Sequence, residues 1–284
     1  MLEQLKFMNH INEELVFGKG GVFVNYNDLH DYRWQYTADG DKISVFKRGI
    51  VTKNVPVVVV CPNADQGVNM INNLMEYSEK DILVKEPGKL IIGDYYLKCY
   101  LTGSTKSDYL AKRGYMVATL EVLTDTPAWI KETKFSFNNS TTGNGMLRGA
   151  RSRVESQNLD YNYDYPIDYT NPFASRNVVN PGFTGSDFKM IIYGPIEDPK
   201  VIVGEHIYEV DCLVDYHEYL TIDSKKKMII LTRQNGATEN KFRYRNRESY
   251  IFEKIPSGET LVSWDGDYKF DIILYEERSE PKWI

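Results

Sequence analysis

One short basic and aromatic segment offers the clearest chemistry in the sequence. Its four cations, with Phe242 and Tyr244 between them, are Lys241, Arg243, Arg245 and Arg247. Side chains alternate along a β-strand, so the four cations would share one face of an extended segment. Such a face could hold single-stranded nucleic acid, dock an acidic protein surface or be solvated. The net charge of −6 disfavours nucleic acid, and we take the four residues as a candidate protein-docking face.

Patterns for catalysis and for metal binding are weak. Acidic residues lie between His206 and His217, but strand alternation puts the two histidines on opposite faces, which favours a charged solvent face. The run from Asp160 begins like a calcium loop, but Tyr165 and Asn171 stand where Gly and Glu are required. The glycines at 18–21 lack the spacing of a phosphate loop. We therefore predict no catalytic residues, no metal and no cofactor.

The composition favours a soluble, mainly β protein. The 21 Tyr and 12 Phe suit the half-buried surface of a sheet. The longest apolar run, residues 57–61, is far shorter than the roughly 20 residues that cross a bilayer, and the N-terminal residues lack a signal-peptide pattern. Neither a membrane segment nor a secretory signal is expected. Cys61, Cys99 and Cys212 are too widely spaced for a disulfide framework, which fits a reducing cytoplasm.

One helix and several strands are expected in the first 135 residues. Asn63 and Gln66 resemble a capping box, and apolar residues then recur at helical spacing: Met70, Leu74 and Tyr77. Strands are predicted at 55–61, 94–101 and 115–123, and Pro127 is expected to end this block. The last of these strands should bury one face, formed by Met116, Ala118, Leu120 and Val122.

From about residue 163 the sequence predicts strands without helices. The strands at 219–222 and 228–232 flank a hairpin loop. A second hairpin, with a type I′ turn at Asp265-Gly266, is predicted between 260–264 and 267–275. Its second strand should bury Tyr268, Phe270, Ile272 and Leu274. Short strands at this spacing are typical of a β-sandwich.

Length and composition divide the chain into two domains. The 284 residues correspond to roughly two domains at about 150 residues each. We predict an N-terminal domain over 1–135, a polar linker or loop over 136–162 and a C-terminal domain over 163–284. The isolated tryptophans could stack on a sugar but are more often core anchors: Trp129, Trp264 and Trp283.

A succession of short motifs resembles one known family, the siphophage distal tail (Dit) proteins. Residues 87–101 and 124–129 resemble the N-terminal domain of that family, and residues 163–169 resemble its interdomain entry. Four further segments look like its C-terminal domain: 193–204, 218–223, 254–258 and 280–283. The motifs follow in the right order over nearly the whole chain.

The resemblance implies both a fold and an assembly. The implied fold is mainly β, with an N-terminal β-sandwich-like domain that has one α-helix and a C-terminal galectin-like β-sandwich. Family members form a homo-hexameric ring, built by their N-terminal domains, at the distal end of the tail tube. The ring connects the major tail tube protein to the tail-tip or tail-associated lysin protein and often anchors receptor-binding proteins. The implied location is the tip of the phage tail in the virion, after synthesis in the bacterial host cytoplasm.

Other function classes remain open. The family has no catalytic residues, so the resemblance implies that the chain is not an enzyme. A host-surface carbohydrate-binding module would need an exposed Trp or Tyr platform beside polar side chains. A glycan-degrading enzyme would need paired carboxylates across a cleft. The segment 136–162 could dock a neighbouring protein or be a plain surface loop.

Overall fold

The structure, a computed structural model, describes residues 5–18, 21–24, 27–60, 64–110, 115–138 and 174–282. Within these ranges the chain is mainly β, as predicted, with twenty-one strands and two α-helices. It divides into two compact units. The first unit comprises residues 1–132 and 276–284, and the second comprises residues 133–275.

The first unit holds nine complete strands and both helices. In chain order they are β1 (Leu5–Met8), β2 (Glu14–Val16), β3 (Val22–Val24), α1 (Asn27–His30), β4 (Gln35–Asp39), β5 (Lys42–Lys47), β6 (Val51–Val60), α2 (Ala64–Val84), β7 (Gly88–Ile92), β8 (Tyr95–Leu110) and β9 (Tyr115–Thr124). Two further strands begin in one unit and end in the other: β10 (Trp129–Phe137) and β21 (Lys269–Arg278).

Two sheets of the first unit share one long strand. One sheet has the order β2-β1-β7-β8-β10, and the other has the order β3-β6-β9-β8. Strand β8 belongs to both because its first residues pair antiparallel with β7 and its remaining residues pair with β9. In the part of the chain that the structure describes, strands β4 and β5 pair with each other and with no other strand.

Side chains from both sheets form the core of the first unit. The predicted inward face of β9 is confirmed, since Met116, Ala118, Leu120 and Val122 are all buried. The predicted helix is also confirmed: α2 buries Leu74 in this core, with Met70 and Tyr77 partly buried beside it. The helix continues to Val84, beyond the periodic positions that identified it. Asn63 of the expected capping box lies outside the described residues.

The second unit is a β-sandwich, as predicted. Besides β10 and β21 its elements are β11 (Ala174–Asn180), β12 (Phe188–Tyr193), β13 (Ile196–Glu197), β14 (Lys200–Val203), β15 (His206–Glu209), β16 (Leu213–Val214), β17 (Tyr219–Asp223), β18 (Met228–Thr232), β19 (Thr238–Asn240), a 3-10 helix (Phe242–Tyr244) and β20 (Gly258–Trp264). One sheet has the order β19-β18-β17-β12-β21, with β10 next to β21, and the other has the order β11-β20-β14-β15. Both sheets supply side chains to one apolar core.

The prediction of a hairpin at Asp265-Gly266 is wrong. Strand β20 pairs with β11 and β14, whereas β21 pairs with β12, so the two strands lie in opposite sheets of the sandwich. Of the two turn residues only Gly266 has a positive φ, 88°, whereas a type I′ turn needs two. Apolar and polar residues alternate along both strands because each strand buries one face in the shared core. The predicted face of β21 and the predicted β17–β18 hairpin are confirmed.

The observed units differ from the expected division at two places. Pro127 does not end the β block, because β10 follows it and Phe137 is buried against Trp264 and Phe270. Residues 276–282 group with the first unit, where Arg48 contacts Glu277. Trp129 and Trp264 are core residues, as predicted. Residues 139–173, which include most of the expected linker, lie outside the described residues, as does Trp283.

Candidate functional site

Residues 241–247 do not form the extended strand on which the four cations would share one face. Lys241 is followed directly by one turn of 3-10 helix, Phe242–Tyr244, and Arg245 forms only an isolated bridge with Val210. The backbone is bonded to different strands in turn: the Lys241 N–H donates to a carbonyl of β18, and the Asn246 N–H donates to a carbonyl of β15. Because the chain turns between these anchors, the four cations do not share one strand face.

Two of the four predicted cations have structural contacts. Lys241 is buried, and its Nζ donates to Glu239 Oε1 at 2.5 Å. The Arg245 guanidinium lies 4.0 Å from the centre of the Phe242 ring and donates to the Phe242 carbonyl at 2.7 Å. Charge reversal at either position would therefore disturb local packing. These two residues hold the segment in place.

The other two cations are exposed. The Phe252 ring, which stacks on Phe242 of their segment and meets Tyr250, links the segment to Tyr250. Neither Arg243 nor Arg247 has an ion pair within the described part of the chain. Lys227, from the β17–β18 loop, places its Nζ 5.3 Å from the centre of the Tyr250 ring. Tyr244 and Tyr250 are 48% and 55% exposed. We define these five residues as the basic-aromatic surface; Arg and Tyr are the types enriched where proteins dock.

The residues considered for metal binding and nucleophilic chemistry are held in hydrogen bonds or buried in the core, not arranged as a reactive site. In the ranges that the structure describes, no three His, Cys, Asp or Glu side chains are placed to hold a metal. His206 Nε2 lies 2.9 Å from the Tyr250 carbonyl oxygen. Burial raises the pKa of the Cys99 thiol to about 12 and that of Cys212 to about 11. Thiols this basic stay protonated near neutral pH and are poor nucleophiles. Cys61 lies outside the described residues.

One pair of neighbouring tyrosines has the exposed aromatic rings that a sugar-binding platform requires. Tyr193 and Tyr219 oppose each other across β12 and β17, are 37% and 38% exposed, and have ring centres 6.4 Å apart. The Tyr193 hydroxyl, however, donates to Asp271 at 2.7 Å, and Lys134 contacts the same carboxylate oxygen. Asp271 is only 5% exposed, so this carboxylate is not offered to a ligand. The pair does not favour the carbohydrate-binding alternative.

The lowered pKa values of two carboxyl groups in the second unit predict that this unit loses folding stability in acid. Burial is the largest single influence and would raise the pKa of Asp187 and of Asp271. Hydrogen bonds from several side chains, together with the charge of Lys254 beside Asp187 and of Lys134 beside Asp271, jointly outweigh burial, so both pKa values are lowered. A lowered folded-state pKa contributes stability above the unfolded pKa of about 3.9, and this contribution is lost as the pH falls through the folded-state pKa.

We therefore expect the melting temperature of the second unit to hold between pH 7 and pH 5 and to fall below about pH 4. Calorimetry of the Asp271→Asn variant checks the cause, since this variant should be less stable at pH 7 and lose less on acidification. An unchanged acid slope in the variant would contradict the assignment.

The first unit exposes an apolar surface that the sequence patterns did not single out. Every residue of β4 and β5 is exposed. The opposed pairs are Tyr36 with Phe46 and, beyond a β-bulge at which β5 has one extra residue, Ala38 with Ile43. Tyr36 and Ala38 are two residues apart on β4, so these four side chains point to the same side of the hairpin. We name them the hairpin face. Asp39-Gly40, at the turn between two alternating runs, was the available hairpin signal.

The hairpin face has no cover within the described chain. Tyr36, Ile43 and Phe46 are 65%, 55% and 60% exposed. The base of the hairpin is anchored, because the Arg48 guanidinium lies 4.7 Å from the centre of the Trp34 ring and 3.6 Å from Glu277. An isolated two-stranded hairpin is marginally stable in water, and contiguous exposed apolar side chains mark interaction sites. The arrangement makes the hairpin face a candidate interaction surface.

No helix in the described ranges has the length and apolar content needed to cross a bilayer.

No family model and no curated protein matches the sequence. The fold, in contrast, is similar to solved phage structures. A chain of the phage P2 baseplate, in its activated conformation with calcium, matches with a TM-score of 0.62 and 12% identity, over 99% of this chain and 100% of that chain.

The Dit protein of phage SPP1, described as a paradigm of the hub adsorption apparatus in phages that infect Gram-positive bacteria, gives a TM-score of 0.56 and 9% identity. The match covers 98% of this chain and 100% of the Dit chain. The family resemblance identified from the motifs is thus confirmed at the level of the fold: the fold is similar to that of a phage P2 baseplate chain and of SPP1 Dit, over 99% and 98% of this chain, respectively.

Proposed function

We propose that this chain is a distal tail protein, a structural component of a phage tail whose first unit forms a homo-hexameric ring at the distal end of the tail tube. The uncovered hairpin face carries this proposal, because a ring subunit must present an apolar surface that only a neighbouring subunit covers. The fold likeness to the phage P2 baseplate chain and SPP1 Dit supports it.

In this proposal the ring joins the major tail tube protein to the tail-tip or tail-associated lysin protein and anchors receptor-binding proteins. The protein is a virion component made in the host cytoplasm. It acts through assembly and has no enzymatic role, and no cofactor or metal takes part. The second unit docks a tail-tip or receptor-binding protein through the basic-aromatic surface.

Native mass spectrometry and negative-stain imaging test the ring. The protein is examined alone and mixed with the tube protein of the same phage. We expect closed six-membered rings in at least one of the two conditions, since a head-to-tail interface repeats until rotation closes it. A monomer alone is compatible with assembly on the tube. A strict monomer in both conditions would contradict the proposal.

The docking role of the basic-aromatic surface has its own test. Replacing Arg243 and Arg247 by Glu should slow association with the tail-tip or receptor-binding protein of the same phage at low salt, and the difference should shrink as salt rises. The melting temperature should stay unchanged, because neither side chain has an ion pair within the described residues. Stopped-flow association measures the rate.

The matched control replaces Lys189 and Lys269, two cations elsewhere on the second unit, by Glu. This control should not change the association rate. Equal effects of the two double variants would show that net charge, and not this surface, governs docking.

A further inference from the structure

One exposed turn of the second unit has an asparagine followed directly by a glycine. Asn235 and Gly236 lie between β18 and β19, and both are exposed. Gly236 has a φ of 82°, a left-handed conformation that residues with a Cβ rarely adopt, and a Cβ built there would meet no other atom within 4 Å. The turn therefore needs glycine for its backbone conformation, and the space around this glycine is open.

The side chain of Asn235 is held against the peptide group that follows it. Its Oδ1 accepts a hydrogen bond from the Ala237 N–H at 3.0 Å, which is an Asx turn. This bond keeps the side-chain amide carbon, Cγ, on the side of the Gly236 nitrogen. An attack of that nitrogen on Cγ would develop negative charge on Oδ1, to which the Ala237 N–H already donates. A donor aimed at the atom on which charge develops stabilises the transition state.

We infer that Asn235 is a site of spontaneous, intramolecular deamidation. The Gly236 nitrogen bonds to Asn235 Cγ, the bond from Cγ to the side-chain nitrogen breaks, and ammonia leaves with the proton of the Gly236 N–H. The product is a five-membered succinimide ring. Water, the only co-reactant, then opens the ring and leaves a new carboxylate. Attack of water on Cγ gives aspartate, and attack on the backbone carbonyl carbon gives isoaspartate, in which the chain runs through Cγ.

Two hydrogen bonds within the turn restrain the reaction. The Gly236 N–H donates to the Arg233 carbonyl at 2.9 Å, and the Arg233 N–H donates to the Ala237 carbonyl at 2.8 Å. The attacking nitrogen must leave the first of these bonds, so deamidation proceeds when the turn opens. Strand β19 is three residues long and, among the described strands, pairs with β18 alone, so local opening disrupts few contacts.

The next asparagine along the chain provides an internal control. Asn240 is exposed, and its Oδ1 accepts from the Phe242 N–H at 2.8 Å, which is the same Asx arrangement. The residue after it is Lys241, whose side chain hinders the approach of its own backbone nitrogen. Trypsin cleaves after Arg233 and after Lys241, so both asparagines lie on one peptide, residues 234–241. Recovery of that peptide therefore cannot bias the comparison.

Incubation of the intact, folded protein in mildly alkaline heavy-oxygen water tests the inference, with tandem mass spectrometry of this peptide as the readout. Conversion should be about tenfold or more faster at Asn235 than at Asn240, because glycine has no side chain to hinder the attack. The new carboxylate should contain one solvent oxygen. Part of the product should be isoaspartate, which an isoaspartyl methyltransferase labels. The pair Asn144 and Gly145, outside the described residues, lies on a different tryptic peptide.

The Asn235→Ser variant keeps a side-chain acceptor for the turn but has no amide to lose, and its peptide should contain no isoaspartate. Equal rates at the two asparagines would overturn the inference, since the glycine would then have no effect. Conversion to aspartate alone would exclude the succinimide. An Asn235 that reacts in the urea-unfolded protein and stays unmodified in the folded protein would show that the turn blocks the attack. None of these outcomes bears on the proposed ring.

Discussion

Phe46→Glu is expected to abolish ring assembly while the chain stays folded. Phe46 is 60% exposed in the single chain, so the substitution removes no core contact. In the proposed ring the same position would lie at a dry contact, where burial of a Phe side chain contributes about 1.5–3 kcal/mol and an unpaired carboxylate costs several kcal/mol. The loss is repeated at every interface of a closed ring. Native mass spectrometry should therefore show monomer where the unaltered protein shows rings.

The opposite side of the same hairpin provides a matched control. Val45 is 53% exposed and pairs with Thr37, so it points away from the hairpin face. Val45→Glu introduces the same charge one residue away, and rings should persist. Circular dichroism spectra and melting temperatures should match for all three proteins. Rings formed by the Phe46→Glu protein would exclude the hairpin face from the interface.

Phe137→Ala is expected to have the largest effect on stability. Phe137 is 2% exposed, stacks on Phe270 with ring centres 4.4 Å apart and meets Trp264 edge-on at 5.4 Å. Truncation of a buried Phe to Ala removes apolar burial and leaves a cavity, at a typical cost of about 3–5 kcal/mol. We expect a decrease of this size in the unfolding free energy of the second unit, measured by urea titration.

An exposed aromatic residue of the same unit serves for comparison. Tyr216 is 72% exposed, and Tyr216→Ala should change the unfolding free energy by no more than about 0.5 kcal/mol. A similarly small effect at Phe137 would place that residue in a linker, as its sequence context predicts. The two variants therefore distinguish a core strand from a connecting segment.

The sequence alone was sufficient to identify the buried faces of the strands and helix that have a periodic apolar pattern. The inward faces of β9 and β21 and the apolar side of α2 were identified correctly, because alternation and helical spacing record which side chains of an element must leave water. The mainly β class also followed from the residues and is confirmed by the fold. The family resemblance is confirmed at the level of the fold by the likeness to solved phage baseplate and Dit structures.

Strand partners were decided only by the tertiary structure. Asp265-Gly266 has a hairpin composition, yet it joins strands of opposite sheets, because alternation is the same whichever sheet covers a face. The 241–247 segment alternates like a strand, but backbone hydrogen bonds to β18 and β15 turn it. Phe137 follows a charged stretch that resembles the start of a linker, and only its stacking on Phe270 shows that it is core.

The hairpin face shows the same limit. The alternation around Asp39-Gly40 indicates a hairpin with apolar side chains, but strict alternation would place Ile43 beside Val45 and away from Phe46, and only the β-bulge brings Ile43 to the side of Phe46. Sequence periodicity shows that one face of an element is apolar, but it does not show which part of the molecule, if any, covers that face. Coverage depends on contacts between residues far apart in the chain. Only the fold shows that, among the strands of the described residues, β4 and β5 pair with each other and with no other strand, so that their apolar side remains exposed there.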